Sequence, residues 1–267
     1  MAVPVVIVAA GARPVTNVAN LAGAVPMTVA DAGAEPVTLV DAGGEPVTLL
    51  NEDGSLWDAL IADATAYLGL QPYHWFDFVN DRAAYAGADI GTIADIPGLT
   101  GTLALSSEGH QITGTGNHLT ITSPGVDAPM TVYLEIKRVT DTGGVEYLMQ
   151  PYASANERGA LLVSATDIVT LIPVSGGAAT ANITVGSAVT TGAVNKIAFS
   201  MATDSFNVAL DGAAGTRDTS GAVPATPTEI QIGHSSGAAT FFGYIRKLAF
   251  ISSASADGVL TAMTETV

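Results

Sequence analysis

The chain has 267 residues, with 9 Lys plus Arg against 25 Asp plus Glu, for a formal net charge of −16. Such a surface repels nucleic-acid phosphates and suits an anionic membrane no better. There is no cysteine, which excludes disulfides, thiolate metal sites and a cysteine nucleophile. The length fits one large all-β domain or two smaller units, and with 13% charged residues the composition is that of a sparsely charged extracellular or virion protein, not of a typical cytosolic enzyme.

The first fifty residues are a tandem repeat. Gly11-Ala12-Arg13-Pro14-Val15-Thr16 recurs as Gly23-Ala24-Val25-Pro26-Met27-Thr28, Gly33-Ala34-Glu35-Pro36-Val37-Thr38 and Gly43-Gly44-Glu45-Pro46-Val47-Thr48. A degenerate copy stands at Pro4-Val5-Val6. Proline fixes φ and removes a donor, which suits the first residue of a short or edge strand. Val and Thr favour extension, and Gly with Asp or Asn supplies the turn. Each unit therefore reads as one strand and one bend, too small to bury its own apolar face without stacking on neighbours or other chains. We expect residues 1–51 to form an extended oligomeric arm, with Pro14, Pro26, Pro36 and Pro46 as its assembly positions. The alternative is a flexible low-complexity leader. The apolar start has no Lys or Arg before Arg13 and carries Pro4, unlike a secretory signal. No stretch reaches transmembrane length without Gly, Pro or a charge.

Residues 52–71 read as a helical linker. Ser55 is placed to cap it with Asp58 three residues on; Trp57, Leu60, Ile61, Ala64, Tyr67 and Leu68 recur at helical spacing; Gly69 and Pro72 end it. It either packs on the domain that follows or forms a small self-associating bundle, with Trp57, Leu60 and Ile61 as assembly residues.

Residues 72–267 carry short strands separated by Gly-, Asp- and Pro-rich turns. The first expected strand is Tyr73 to Val79. The clearest is Met130 to Arg138, with Met130, Val132, Leu134 and Ile136 on one face and Thr131, Tyr133, Glu135 and Lys137 on the other. Val145 to Gln150, Ala160 to Ala165, Ile168 to Pro173, Asn182 to Val185, Asn195 to Met201, Phe206 to Leu210, Glu229 to Gly233 and Phe241 to Ile251 follow. Strands at this density predict a β-sandwich, and Ser255 marks the start of a short closing helix to Met263.

Two resemblances attach to these residues. Asn195-Lys196-Ile197-Ala198-Phe199-Ser200-Met201 followed by Ser205-Phe206-Asn207-Val208-Ala209-Leu210-Asp211-Gly212 looks like the back-to-back strand pair of concanavalin A-like (laminin G-like) jelly rolls. Glu229-Ile230-Gln231-Ile232-Gly233 resembles the next strand of that fold, Phe242 to Phe250 its closing strand, and Leu260-Thr261-Ala262-Met263 the small helix after it. The Gly-x-Pro-Val-Thr repeat followed by Asn51-Glu52-Asp53-Gly54-Ser55 looks like the leader of bacteriophage and gene transfer agent fibre and spike proteins. Together they imply a virion fibre assembled in the host cytoplasm and exposed on the particle. Its repeat arm would dock to a capsid or tail protein, its lectin-like head would contact host surface polysaccharide, and it would be a homo-oligomer, commonly a trimer.

Catalytic chemistry finds little support in the residues. Polysaccharide-cleaving enzymes of this fold carry paired carboxylates on one strand, whereas Glu135 stands alone beside Lys137. No Gly-x-Ser-x-Gly elbow occurs, and His74, His110, His118 and His234 form no ligand spacing. We expect no enzyme, no cofactor and no transition metal. Asp141, Asp204 and Asp211, in turns, are the residues a calcium ion would use, without the spaced aspartates of a calcium loop. Glycan binding needs an aromatic plate with planar polar partners. Tyr147, Tyr152, Asn156 and Arg158 offer both in one strand and loop; the alternative is a plain hairpin edge in which Arg158 pairs with Glu157 or Asp167. Phe241 and Phe242 are expected in the core.

Overall fold

A computed structural model describes residues 64–265 apart from 66, 115, 236, 237 and 240. By its contacts the chain divides into Met1–Ala59 and Leu60–Val267, and everything described belongs to the second unit. The repeat arm, with Pro14, Pro26, Pro36 and Pro46, and the linker positions Trp57, Leu60 and Ile61 lie outside the described residues.

The second unit is an antiparallel β-sandwich. Strands are numbered in chain order. Sheet one runs β16 (Ala213–Ala214), β15 (Ser205–Leu210), β14 (Val194–Ala202), β8 (Met130–Arg138), β20 (Phe242–Ile251), β1 (His74–Asp77), β2 (Arg82–Tyr85) and β3 (Ala88–Gly91). β6 (Gly109–Thr113) also pairs with β20 and carries β5 (Leu105–Ser106). Sheet two runs β12 (Ala178–Ala179), β11 (Ile168–Ser175), β10 (Glu157–Val163), β9 (Glu146–Ser154), β17 (Glu229–Ile232), β7 (Leu119–Thr122) and β4 (Leu99–Gly101), with β13 (Ile183–Ala188) on β11. β18 (His234–Ser235) and β19 (Ala238–Ala239) form a small hairpin, and α1 (Asp257–Thr264) follows β20.

The core between the sheets follows from period-two alternation. Val132, Leu134, Ile136, Ile197, Phe199, Phe206, Val208, Leu248 and Phe250 from sheet one meet Leu119, Ile121, Met149, Leu161, Val163, Val169, Leu171, Ile230 and Ile232 from sheet two. The expected strand pair of residues 195–212 is present as β14 and β15, in continuous register from Ile197 opposite Leu210 to Ala202 opposite Ser205.

β8 has the predicted bounds, but both of its faces are buried. On the face away from the core, Ala84, Trp75, Ala249, Tyr133, Ala198 and Ala209 line up in one cross-strand row. The alanines leave a shallow floor, and Ala64 and Leu68 from the helical residues and Leu260 and Met263 from α1 pack on it. The helical residues described from the expected linker therefore pack on the sandwich. Gly69, at φ 72°, closes it by donating its N–H to the Thr65 carbonyl at 2.8 Å, a left-handed cap that glycine adopts without a Cβ penalty.

A charged row lies beside the alanine row: Arg82, Asp77, Lys247, Glu135 and Lys196 alternate in sign across neighbouring strands. At its centre Glu135 accepts from Arg246 Nε at 2.7 Å and Tyr67 Oη at 2.7 Å, and Lys247 Nζ sits 3.9 Å from the Tyr67 ring centroid. Burial works to raise the Glu135 pKa, but the Arg246 and Tyr67 hydrogen bonds and the Lys247 charge outweigh it and hold the carboxyl below its ordinary value.

Two local expectations change. Ser255 does not cap the closing helix; Ala256 is its N-cap, while Ser255 accepts from Thr131 Oγ1 and donates its N–H to Ser200 Oγ. Phe241 is fully buried, but Phe242 is 38% exposed and lays its ring over Gly114. The strands β2 to β7 were not legible, because Ala, Gly, Asp and Thr dominate them and their pairs are short.

Candidate functional site

The outer face of sheet two carries a polar array where the opposite face carries core. In β9, β10 and β17 the register sets Arg158 opposite Tyr152 and Tyr152 opposite Glu229, with Thr122 of β7 beyond. Residues directly opposite in an antiparallel pair point to the same side, so Arg158, Tyr152 and Glu229 form one row: cation, aromatic ring, carboxylate. The next row holds Gln150 opposite Gln231 and Gln231 opposite Thr120. Gln150 Nε2 donates to Gln231 Oε1, and Gln231 Nε2 donates to Glu229 Oε1. This relay fixes the Glu229 carboxylate. Gln150 is fully buried, and its Oε1 has no hydrogen-bond partner. A buried acceptor without a donor is costly and marks a place that favours a donating group.

A register shift in β9 opposite Leu161 and Leu162 brings Tyr147 opposite Leu162, on this same outer side. Beyond Gln231, Gly233 takes φ 76°, and a side chain there would drive into Ile112. The chain turns, and His234 lies against the array with Nε2 3.1 Å from Thr120 Oγ1 and its ring 4.4 Å from that of His118. Burial, reinforced by the neighbouring His118, holds the His234 pKa below its ordinary value.

Of the four residues expected to bind glycan, Tyr152 and Arg158 are direct cross-strand neighbours and Tyr147 shares their face. Asn156 departs from them: it sits at the tip of the β9–β10 hairpin, where its carbonyl accepts from Gly177 N–H at 3.1 Å and its side chain packs on that glycine. Gln150, Gln231, Glu229 and His234 were missed. Their signal is weak, because only the alternation of Glu229-Ile230-Gln231-Ile232 hints that a polar pair shares one face.

The acids expected beside Arg158 are engaged elsewhere. Glu157 accepts from Gly176 N–H at 2.6 Å and Ala225 N–H at 2.8 Å, which lowers its pKa. Asp167 accepts from Arg138 at 2.7 Å. Among the described residues Arg158 makes no hydrogen bond or ion pair, so the pairing of a plain hairpin edge with Glu157 or Asp167 does not form.

The remaining polar candidates are consumed by structure. Asp141, Asp204 and Asp211 each accept a backbone N–H, from Gly143, Gly221 and Lys196 respectively. Among the described residues no group of three or more His, Asp or Glu is arranged to hold a metal ion. His74 and His110 are buried and bonded through both ring nitrogens to backbone groups. A cleft of about 220 Å³ opens beside Tyr67, but its Asp77 accepts from Val79, Asn80 and the Asn80 side chain, and its Arg82 is paired with Asp89 at 2.9 Å. Among the described residues no helix is long and apolar enough to cross a membrane.

Two antiparallel sheets packed face to face, with the polar array on one outer face, define an all-β jelly-roll sandwich. No protein-family model matches the sequence, and no curated protein is significantly similar to it. Solved structures do share the fold. Domain 4 of a GH43 extracellular arabinanase from Geobacillus stearothermophilus, in complex with arabinotriose, is 15% identical with a TM-score of 0.54, over 73% of this chain and 98% of that one. The CBM40 of Ruminococcus gnavus IT-sialidase is 15% identical with a TM-score of 0.50, over 61% and 100%. Trypanosoma rangeli sialidase in complex with sialic acid is 12% identical with a TM-score of 0.50, over 72% of this chain but 32% of that one. At these identities the likeness is one of fold.

Proposed function

We propose that the sandwich is a lectin-like head that binds polysaccharide on the outer face of sheet two. The observation that carries this reading is the row Arg158–Tyr152–Glu229, backed by the Gln150–Gln231 relay. A ring flanked by planar donors and acceptors is the chemistry that holds a sugar, whose faces are apolar and whose edges are hydroxyls. Binding is favoured over hydrolysis because, among the described residues, Glu229 is the one carboxylate of this array, and glycoside cleavage takes two flanking a single bond. The carbohydrate-binding domains that share the fold are consistent with this reading.

The repeat arm and its resemblance to phage and gene transfer agent leaders supply the second half of the proposal. The protein is a virion fibre or spike that docks through residues 1–51 to a capsid or tail protein and presents the head to host surface polysaccharide. The alternatives are a capsid decoration protein without a ligand and a polysaccharide-degrading enzyme of the same fold. An array of host capsule and lipopolysaccharide glycans separates them: the head retains at least one polymer, Tyr152→Ala weakens retention roughly tenfold, the scale of a lost aromatic anchor, and no reducing sugar is released. Retention unchanged by Tyr152→Ala removes this face as the site, and sugar release makes the protein an enzyme.

A further inference from the structure

We propose that this face selects an acidic saccharide and that Arg158 reads its carboxylate; the inference rests on the glycan-binding reading above. Among the described residues every other Lys or Arg side chain has a partner. Arg82 is on Asp89, Lys137 on Glu108, Arg138 on Asp167, Lys196 on the Glu265 carbonyl, Arg217 on Asp257, and Arg246 and Lys247 on Glu135. In a chain with a formal charge of −16, acids to neutralise one more cation are plentiful. The nearest in sequence, Glu157, is instead fixed by Gly176 and Ala225. Arg158 stands on β10 directly opposite Tyr152, and among the described residues nothing takes its five donors.

The other end of the row sets the rest of the ligand. Glu229 lies across Tyr152 from Arg158, two strand spacings or about 10 Å away at the backbone, on the same face of the sheet and with Tyr152 between them. A carboxylate held by Gln231 accepts hydroxyls and repels a second negative charge. The row therefore fits a sugar unit with a carboxylate at one edge and hydroxyls at the opposite edge, a uronic-acid type of residue, and disfavours one carrying anionic groups on both edges. Guanidinium suits this task better than ammonium, because its planar fork meets a carboxylate with two parallel hydrogen bonds.

The test compares polygalacturonate and alginate with their carboxyl-reduced forms, alongside neutral arabinan and dextran, as immobilised polymers. The full chain, Arg158→Gln and Arg158→Lys are measured, with thermal melting to establish that both variants are folded. The expected result is that the full chain holds an acidic polymer at least roughly tenfold more tightly than its reduced form, the scale of one charge-assisted hydrogen bond. Arg158→Gln abolishes that preference and Arg158→Lys restores part of it. If acidic and reduced forms bind alike, or Arg158→Gln leaves the preference intact, the role of Arg158 is wrong while the glycan-binding face stands. If no polymer of either kind is held, both readings fall.

Discussion

His74 shows how single residues set the conditions under which this head is stable. Its Nδ1 accepts from Ala86 N–H at 3.1 Å and its Nε2 lies 2.8 Å from the Pro124 carbonyl, which fixes the neutral tautomer with the proton on Nε2. Burial lowers its pKa from 6.5 to about 4, against a smaller opposing effect of the Pro124 hydrogen bond. Because the folded pKa is depressed, the unfolded chain takes the proton first. The stabilisation is complete above pH 6.5 and is lost as pH falls toward 4, by about 3 kcal/mol for this group alone. His110, built the same way between Ala104 N–H and the Asn117 carbonyl, and His234 are shifted in the same direction and add to it. The melting temperature should drop steeply between pH 7 and pH 4.5, and His74→Gln should flatten that slope. A melting temperature constant across this interval would falsify the neutral-histidine assignment.

Between elements, the helical residues 64, 65, 67 and 68 and sheet one are joined through Tyr67. The residue is 40% exposed, yet its hydroxyl reaches both Glu135 and Tyr133. Tyr67→Phe should cost about 1–2 kcal/mol, since it leaves a buried carboxylate one donor short. Leu68→Ala should cost about 2–4 kcal/mol by opening a cavity over the alanine row. Urea midpoints read both. The same contacts make a chain beginning at Pro72 less stable than one beginning at Leu60, with Trp75 and Ala249 uncovered; equal midpoints would mean that the helix is not part of the head. Here the sequence was half legible. The helical spacing of Ala64, Tyr67 and Leu68 was plain, but a stripe that reads equally as a packed helix or a bundle cannot say which surface takes it. That surface is assembled from Ala84, Ala198, Ala209 and Ala249, residues on four strands with nothing in common locally.

For the whole molecule, the division into Met1–Ala59 and Leu60–Val267 suggests where assembly and recognition can be separated. If the repeat is the assembly element, the mass of the full chain in solution is that of a trimer or larger, while the chain beginning at Leu60 is a monomer. Deleting residues 1–50 should leave a soluble head and abolish incorporation into particles. A truncated protein that still assembles onto particles ends the anchoring assignment, and two monomers redirect the search to the head's own ligand.

The sequence by itself determined what is local. Alternation of β-branched and aromatic residues fixed β8 from Met130 to Arg138 and the β14–β15 pair, because period two and a turn between them need no distant partner. Tyr152 and Arg158 were legible as neighbours for the same reason, lying on the two arms of one hairpin. What the tertiary structure decided is everything that depends on distant pairing. Glu229 and Gln231 joined the array because β17 inserts beside β9, some 81 residues removed in the case of Gln150 and Gln231. Among the described residues Arg158 was left without a partner because Glu157 turned to Ala225 and Asp167 to Arg138. Charge is a property of residues, but whether a charge is neutralised is settled by the surfaces that fold against it.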